Sequence, residues 1–181
     1  MDGYFPGQSR SVYCAPVNRF DLCADALMEA HGGMVFRDPK LRGACMNGIS
    51  LGMLSSFLGQ PADIARLMRL DEALTRRIYR RLLWDEVAAD RLPPGLDLAV
   101  LALALETGPH AAILALQNAL GVAASGAVDE ATSATLRGLA AAPVIAALFE
   151  GLLGRYPAEG GAPARALAEL RSSALVMAGS A

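Results

Sequence analysis

Apolar residues in the first part of the chain recur at helical spacing. After Asn18, the residues Phe20, Cys23, Ala24, Leu27 and Ala30 fall on one face, the three-and-four repeat of an amphipathic helix. Asn18 offers a capping acceptor at the start, and Gly32-Gly33 ends the run. Residues 34–50 lose that period and read as a loop or a short hairpin. Two short helices are expected at 50–58 and 61–69, split by Gly59 and restarted at Pro61. Leu74, Ile78, Leu82 and Val87 then predict one longer helix over 71–90, closed by the turn LPPGLD. Gly95 to Glu106 is apolar nearly all round, the pattern of a central, fully packed helix. Gly108-Pro109 breaks it and starts a further helix that stops at Leu120-Gly121. Asp129 caps a helix reaching about residue 139, and two more fit 143–154 and 162–177, with GRYPAEGGAP as the turn between them. The fold class predicted is all-α with one small hairpin, and no repeat is long enough to build a solenoid.

Composition narrows the function classes. Hydrophobic residues make up 54% of the 181 and charged residues 19%, enough to pack a core and too apolar for disorder. The formal net charge of −2 provides no basic field for nucleic acid. No uncharged apolar run approaches the roughly 18 residues of a membrane span. The opening MDGYFPGQSRSVYCAPVNRF lacks a basic start followed by an apolar block, so synthesis in the cytoplasm without a signal peptide is expected. Action at the cell envelope would then need another route out. Three cysteines, an odd number, suit a reducing compartment better than a disulfide framework.

The stretch HGGMVFRDPKLRGACMNGIS, residues 31–50, resembles the opening motif of glycoside hydrolase family 108. These are phage- and secretion-associated N-acetylmuramidases related to lysozymes. Gly32, Gly33, Val35, Gly43, Ala44, Gly48 and Ile49 match without a gap, and Asp38-Pro39 resembles the family's Asn-Asp-Pro displaced by one residue. The likeness continues through Tyr79, Trp84, Leu92, Pro93, Gly95, Leu96 and Asp97, then through Gly108, Pro109, Leu116, Gln117, Leu120 and Gly121. LQNALGVAASGAVDEAT also resembles the short peptidoglycan-binding repeat. The resemblance implies a lysozyme-like helical domain at 18–108 behind an N-terminal arm at 1–17. A small peptidoglycan-binding-like helical subdomain would follow at 109–181. It also implies glycan contacts at Gly32, Gly33, Gly43, Tyr79, Trp84 and Gln117, and no cofactor.

The family pattern requires an acid at the helix end, a second acid in the loop and a threonine after it. One carboxylic acid protonates the glycosidic oxygen, and the second group positions water or supports the oxocarbenium charge. Here those positions hold His31, Lys40 and Cys45. A histidine can serve as a general acid, but Lys40 sets a cation beside a developing cation, which raises the barrier. Glu29 points about 200° away from the helix-end position. Glu106, where the family has Asn before Gly-Pro, is the fallback acid. The expectation is therefore a degenerate muramidase scaffold that binds peptidoglycan or a protein partner of a phage-, prophage- or gene-transfer-derived particle or release system. Two alternatives stay open: an active muramidase with unorthodox residues, and a structural protein stapled by a metal on Cys14, Cys23, His31 and Cys45. Arg76, Arg77, Arg80 and Arg81 form a basic ridge, read either as a solvated face or as contact with an anionic wall polymer or a partner.

Overall fold

The computed structural model describes residues 18–38, 43–156 and 162–180. The arm at 1–17, Lys40 and most of the turn before the last helix lie outside them. Helix α1, Arg19–His31, starts where the Asn18 side chain accepts from the Phe20 amide at 3.1 Å. The expected hairpin is a three-stranded antiparallel sheet: β1 (Met34–Asp38), β2 (Gly43–Met46) and β3 (Ile49–Ser50), in that order. Val35 lies opposite Cys45, yet Asp38 lies opposite Gly43. Three steps along β1 thus match two along β2, a bulge of one residue. It falls where the Asp-Pro pair comes one residue late in the sequence. Asn47 and Gly48, with φ of 51° and 72°, make the two-residue turn from β2 to β3 in the conformation that suits the twist of a hairpin.

Helix α2, Leu51–Leu58, is capped by Ser50, which accepts from the Met53 amide at 3.2 Å. The next helix does not start at Pro61. It is the single turn α3, Ile64–Leu67, because Asp63 supplies the acceptor for the Arg66 amide at 2.8 Å. Helix α4, Glu72–Tyr79, starts at Asp71. The continuous helix expected to residue 90 does not form. A π-helical stretch follows at Arg80–Trp84, in which the Asp85 amide reaches back five residues to the Arg80 carbonyl at 2.9 Å. A turn and a 3-10 segment, Ala89–Arg91, complete the connection. The wide turn advances the inward face by a residue: Leu82 is half-buried, whereas Leu83 and Trp84 are buried.

Helix α5, Leu96–Thr107, is buried from Leu96 through Leu105, which accounts for its missing polar face. Helices α6 (Pro109–Leu120), α8 (Ala141–Leu153) and α9 (Ala162–Gly179) pack on it, and α1 packs on α5 and α9. A single hydrophobic core runs from Leu27, Ile49, Leu54 and Trp84 through α5 to Phe149, Leu167 and Leu170. Each such side chain contributes about 1.5–3 kcal/mol on burial. Among the described residues, no single helix is long and apolar enough to cross a membrane.

Helix α7, Glu130–Leu136, begins at Asp129 as expected. Its carboxylate accepts from the Thr132 amide and hydroxyl, each at 2.8 Å, and from the Ser125 hydroxyl at 2.7 Å. These donors, the Thr132 amide foremost, hold the carboxyl down at about 2 against an ordinary 3.8. A depressed native pKa adds stability that is present above 3.8 and is lost as the pH falls through about 2. Asp129→Ala should therefore unfold at lower denaturant than the parent at neutral pH. The gap should narrow below pH 4 and close near pH 2, which paired urea titrations across that range would measure.

Candidate functional site

The end of α1 and the small sheet are tied together through Asn47. Its amide donates to the Gly33 carbonyl at 3.2 Å, and its side-chain oxygen accepts from the Gly33 amide at 3.3 Å. Its Nδ2 donates to the buried Thr75 hydroxyl at 3.1 Å, and its carbonyl accepts from the Tyr79 hydroxyl. One turn residue thus fixes the Gly32-Gly33 exit of α1, the sheet and α4 relative to one another. Asn-Gly between apolar Met46 and Ile49 is a hairpin signal in its own right. Nothing in the family motif singled out the asparagine.

His31 closes α1 and is half-buried, with Gly32 and Gly33 exposed beside it. Cys45 is buried on β2 at 1% exposure, next to Tyr79, whose hydroxyl is pushed up by burial first and by Cys45 second. Gly43 begins β2 and is half-buried.

Three of the expected glycan contacts are core residues. Tyr79 is 1% exposed and spends its hydroxyl on Asn47. Trp84, also 1% exposed, meets Phe20 edge to face at 5.4 Å between centroids, with the Arg80 guanidinium 5.6 Å above its ring. Gln117 is fully buried. Its Nε2 donates to the Ala127 carbonyl at 2.9 Å and to the Thr132 hydroxyl at 3.0 Å, while its Oε1 accepts from the Gly126 amide at 2.8 Å. These bonds shape the loop before α7 from inside. An aromatic or amide at helical spacing cannot reveal from sequence which way it faces, and here all three face inward.

The basic ridge is mostly neutralised at home. Arg76 bonds Glu72, Asp21 and Asp25, and Arg80 bonds Asp85 and Asp90. Arg77 and Arg81 both lie over the Phe57 ring, at 5.8 and 5.7 Å. Nor are the metal candidates assembled. Cys23 lies beside Asp97, and burial above all pushes its thiol up, while Cys45 belongs to the sheet. Among the described residues no three His, Cys, Asp or Glu side chains are placed to hold a metal ion, and Cys14 lies outside those residues.

What the fold does present is a cleft of about 750 Å³. One wall is Gly48, Ser50, Gly52, Met53 and Ser56, from β3 and α2. Leu82, Leu83 and Glu86 come from the π-helical stretch and the turn after it, and Ala104 to Pro109 from the junction of α5 with α6. Gly48 sets the floor: a β-carbon there would come within 2.7 Å of Leu105 Cδ2, and its φ is +72°. The carboxylates on the walls are Glu86 and Glu106. Glu106 accepts a 2.7 Å hydrogen bond from the Tyr156 hydroxyl, which follows α8. Sequence reasoning found Glu106 and missed Tyr156, because a contact across 50 residues leaves no local signal.

The family profile described as Glycosyl hydrolase 108 matches residues 24–108. Among solved structures, that of Brucella abortus SagA superposes with a TM-score of 0.78 at 30% identity, over 88% of this chain and 95% of that one. No curated protein matches significantly.

Proposed function

Because this chain belongs to the glycosyl hydrolase 108 family, we propose that it is a muramidase-like protein that holds peptidoglycan in its cleft without cutting it. The replaced reactive positions carry this reading. The family's acid at the helix end is His31, the second acid is Lys40, and the threonine is Cys45, which is buried in the sheet. Glycoside cleavage needs an acid on the leaving oxygen and a second group to stabilise charge on the other face of the sugar. An imidazole and an ammonium bring positive charge to both places, and the buried thiol supplies no carboxylate. The glycines of the motif and the open cleft remain, and they are what a bound strand requires.

The role that follows is that of an envelope-binding component of a phage-, prophage- or gene-transfer-derived particle or release system. It would be made in the cytoplasm and carried to the wall by that system. Incubation of the pure protein with purified sacculi, followed by sedimentation and an assay of new reducing ends in the supernatant, tests the proposal. Co-sedimentation without release, beside an active muramidase control, is the expected result. Release of muropeptides would overturn it in favour of an active enzyme, with Glu106 and His31 as the first residues to substitute. Failure to sediment would remove peptidoglycan as the ligand.

A further inference from the structure

Glu106 occupies an electrostatically unfavourable place. It is the second-last residue of α5, where the unpaired carbonyls of a helix end repel negative charge. A carboxylate there is offset by donors from outside the helix, and the Tyr156 hydroxyl is one, at 2.7 Å from Oε2. The pair also joins two hollows. Glu106 and Thr107 line the large cleft and, on their other side, a cavity of about 220 Å³ shared with Leu152, Arg155 and Tyr156. Tyr156 therefore reaches Glu106 from behind the cleft wall and fixes the carboxylate that the wall presents.

We infer that Glu106 is the sugar-recognition group of this cleft and that Tyr156 is its positioning residue. The ligand chemistry is an uncharged amino-sugar strand whose hydroxyl and acetamido N–H groups donate to the carboxylate. Several features point there. A carboxylate accepts at about four lone-pair positions, so the phenol can fix its rotamer and leave acceptor capacity. The residues around it are small or hydroxylated: Gly48, Ser50, Gly52, Ser56 and Thr107. Such a lining leaves room for sugar rings and offers them polar partners. Among the described residues that line the cleft, no lysine or arginine competes for the carboxylate from the front. The inference rests on the glycan-holding reading proposed above and names the group that does the holding.

A double-mutant cycle on the full-length protein tests it, with sacculi for sedimentation and tetra-N-acetylchitotetraose for calorimetric titration. Glu106→Gln keeps the shape and removes the charge. It should weaken tetrasaccharide binding by about tenfold to a hundredfold, as expected when a hydrogen bond to a charged group is lost. Tyr156→Phe should weaken it by about threefold to tenfold. In the Glu106→Gln background Tyr156→Phe should add almost nothing, since it acts through the carboxylate; a merely structural tyrosine would give independent, additive losses. Melting temperatures of all variants separate binding from folding. If Glu106→Gln melts early, Tyr156→Phe alone must still weaken binding at unchanged stability. A parent that binds sacculi alongside a Glu106→Gln variant that binds equally well would overturn this inference and leave the broader reading intact. A parent that binds no sacculi defeats both. Muropeptide release abolished by Glu106→Gln would make Glu106 a catalytic acid and overturn the recognition role.

Discussion

Gly95→Ala is expected to destabilise the protein by about 3 kcal/mol or more, although it adds a single methyl group to a residue before a helix. Gly95 has φ of +81°, where an L-residue costs roughly 1–2 kcal/mol. The larger part is steric. A β-carbon built there would lie 2.2 Å from the Ala174 carbonyl oxygen and 2.8 Å from the Ala178 amide nitrogen. Both atoms belong to the backbone of α9, so no flexible side-chain end can swing aside. Overpacking of this kind costs about 1–3 kcal/mol, while stiffening of the unfolded chain returns only about 0.4–1 kcal/mol. Urea unfolding of the variant beside the parent measures the sum. Parent-like stability would mean that α9 does not rest on the start of α5, and the arrangement of α1, α5 and α9 described above would have to be revised.

Asp97→Ala should cost about 2–3 kcal/mol. The carboxylate side chain is 2% exposed and accepts from Arg19 Nε at 3.0 Å and from the Leu98 amide at 2.8 Å. Arg19 also donates to the Leu92 carbonyl at 2.6 Å, so the pair ties the start of α1 to the chain entering α5. Removing one partner of a buried ion pair leaves the other uncompensated, at roughly 3–5 kcal/mol. Arg19 is 38% exposed, and water screens what it loses, which sets the lower figure. Arg19→Met, which leaves the Asp97 carboxylate buried, should be at least as damaging. Chemical denaturation of the two single variants and the double variant decides. If the double variant were no less stable than either single one, the pair would be confirmed as a coupled unit; losses that simply added would deny it.

Helices that begin or end on a local chemical cue were legible. Asn18, Asp129, Gly108-Pro109 and the unbroken apolar run of α5 each act within a turn of themselves, and the structure has all four where the sequence puts them. The π-helical stretch was not legible. Its cause is the packing of Leu83 and Trp84 against the core, and the sequence around it keeps an α-helical period through Leu82. The start of α3 was misread because Pro61 is the louder signal, yet only Asp63 has an acceptor to give. At the site, the family motif located the α1 exit, the small sheet and Glu106. It did not show that Tyr79, Trp84 and Gln117 face inward, since burial is decided by elements distant in the chain. Asn47 and Tyr156 escaped for the same reason: their partners are Thr75, Tyr79 and Glu106, none of them neighbours in sequence.

The bulge in β1 bears on any attempt to convert this protein into a lytic one. Point changes at positions 31, 40 and 45 restore side-chain identities but leave the strand one residue longer than its partner requires. Strand residues alternate between faces, so one surplus residue reverses the orientation of whatever follows it. The engineering route is therefore an excision: removal of Phe36 or Arg37 together with the acid substitutions, so that the Asp-Pro pair moves back into the family's spacing. A library built from substitutions alone samples sequences in which every letter of the motif is right and the frame that aims them is out of step.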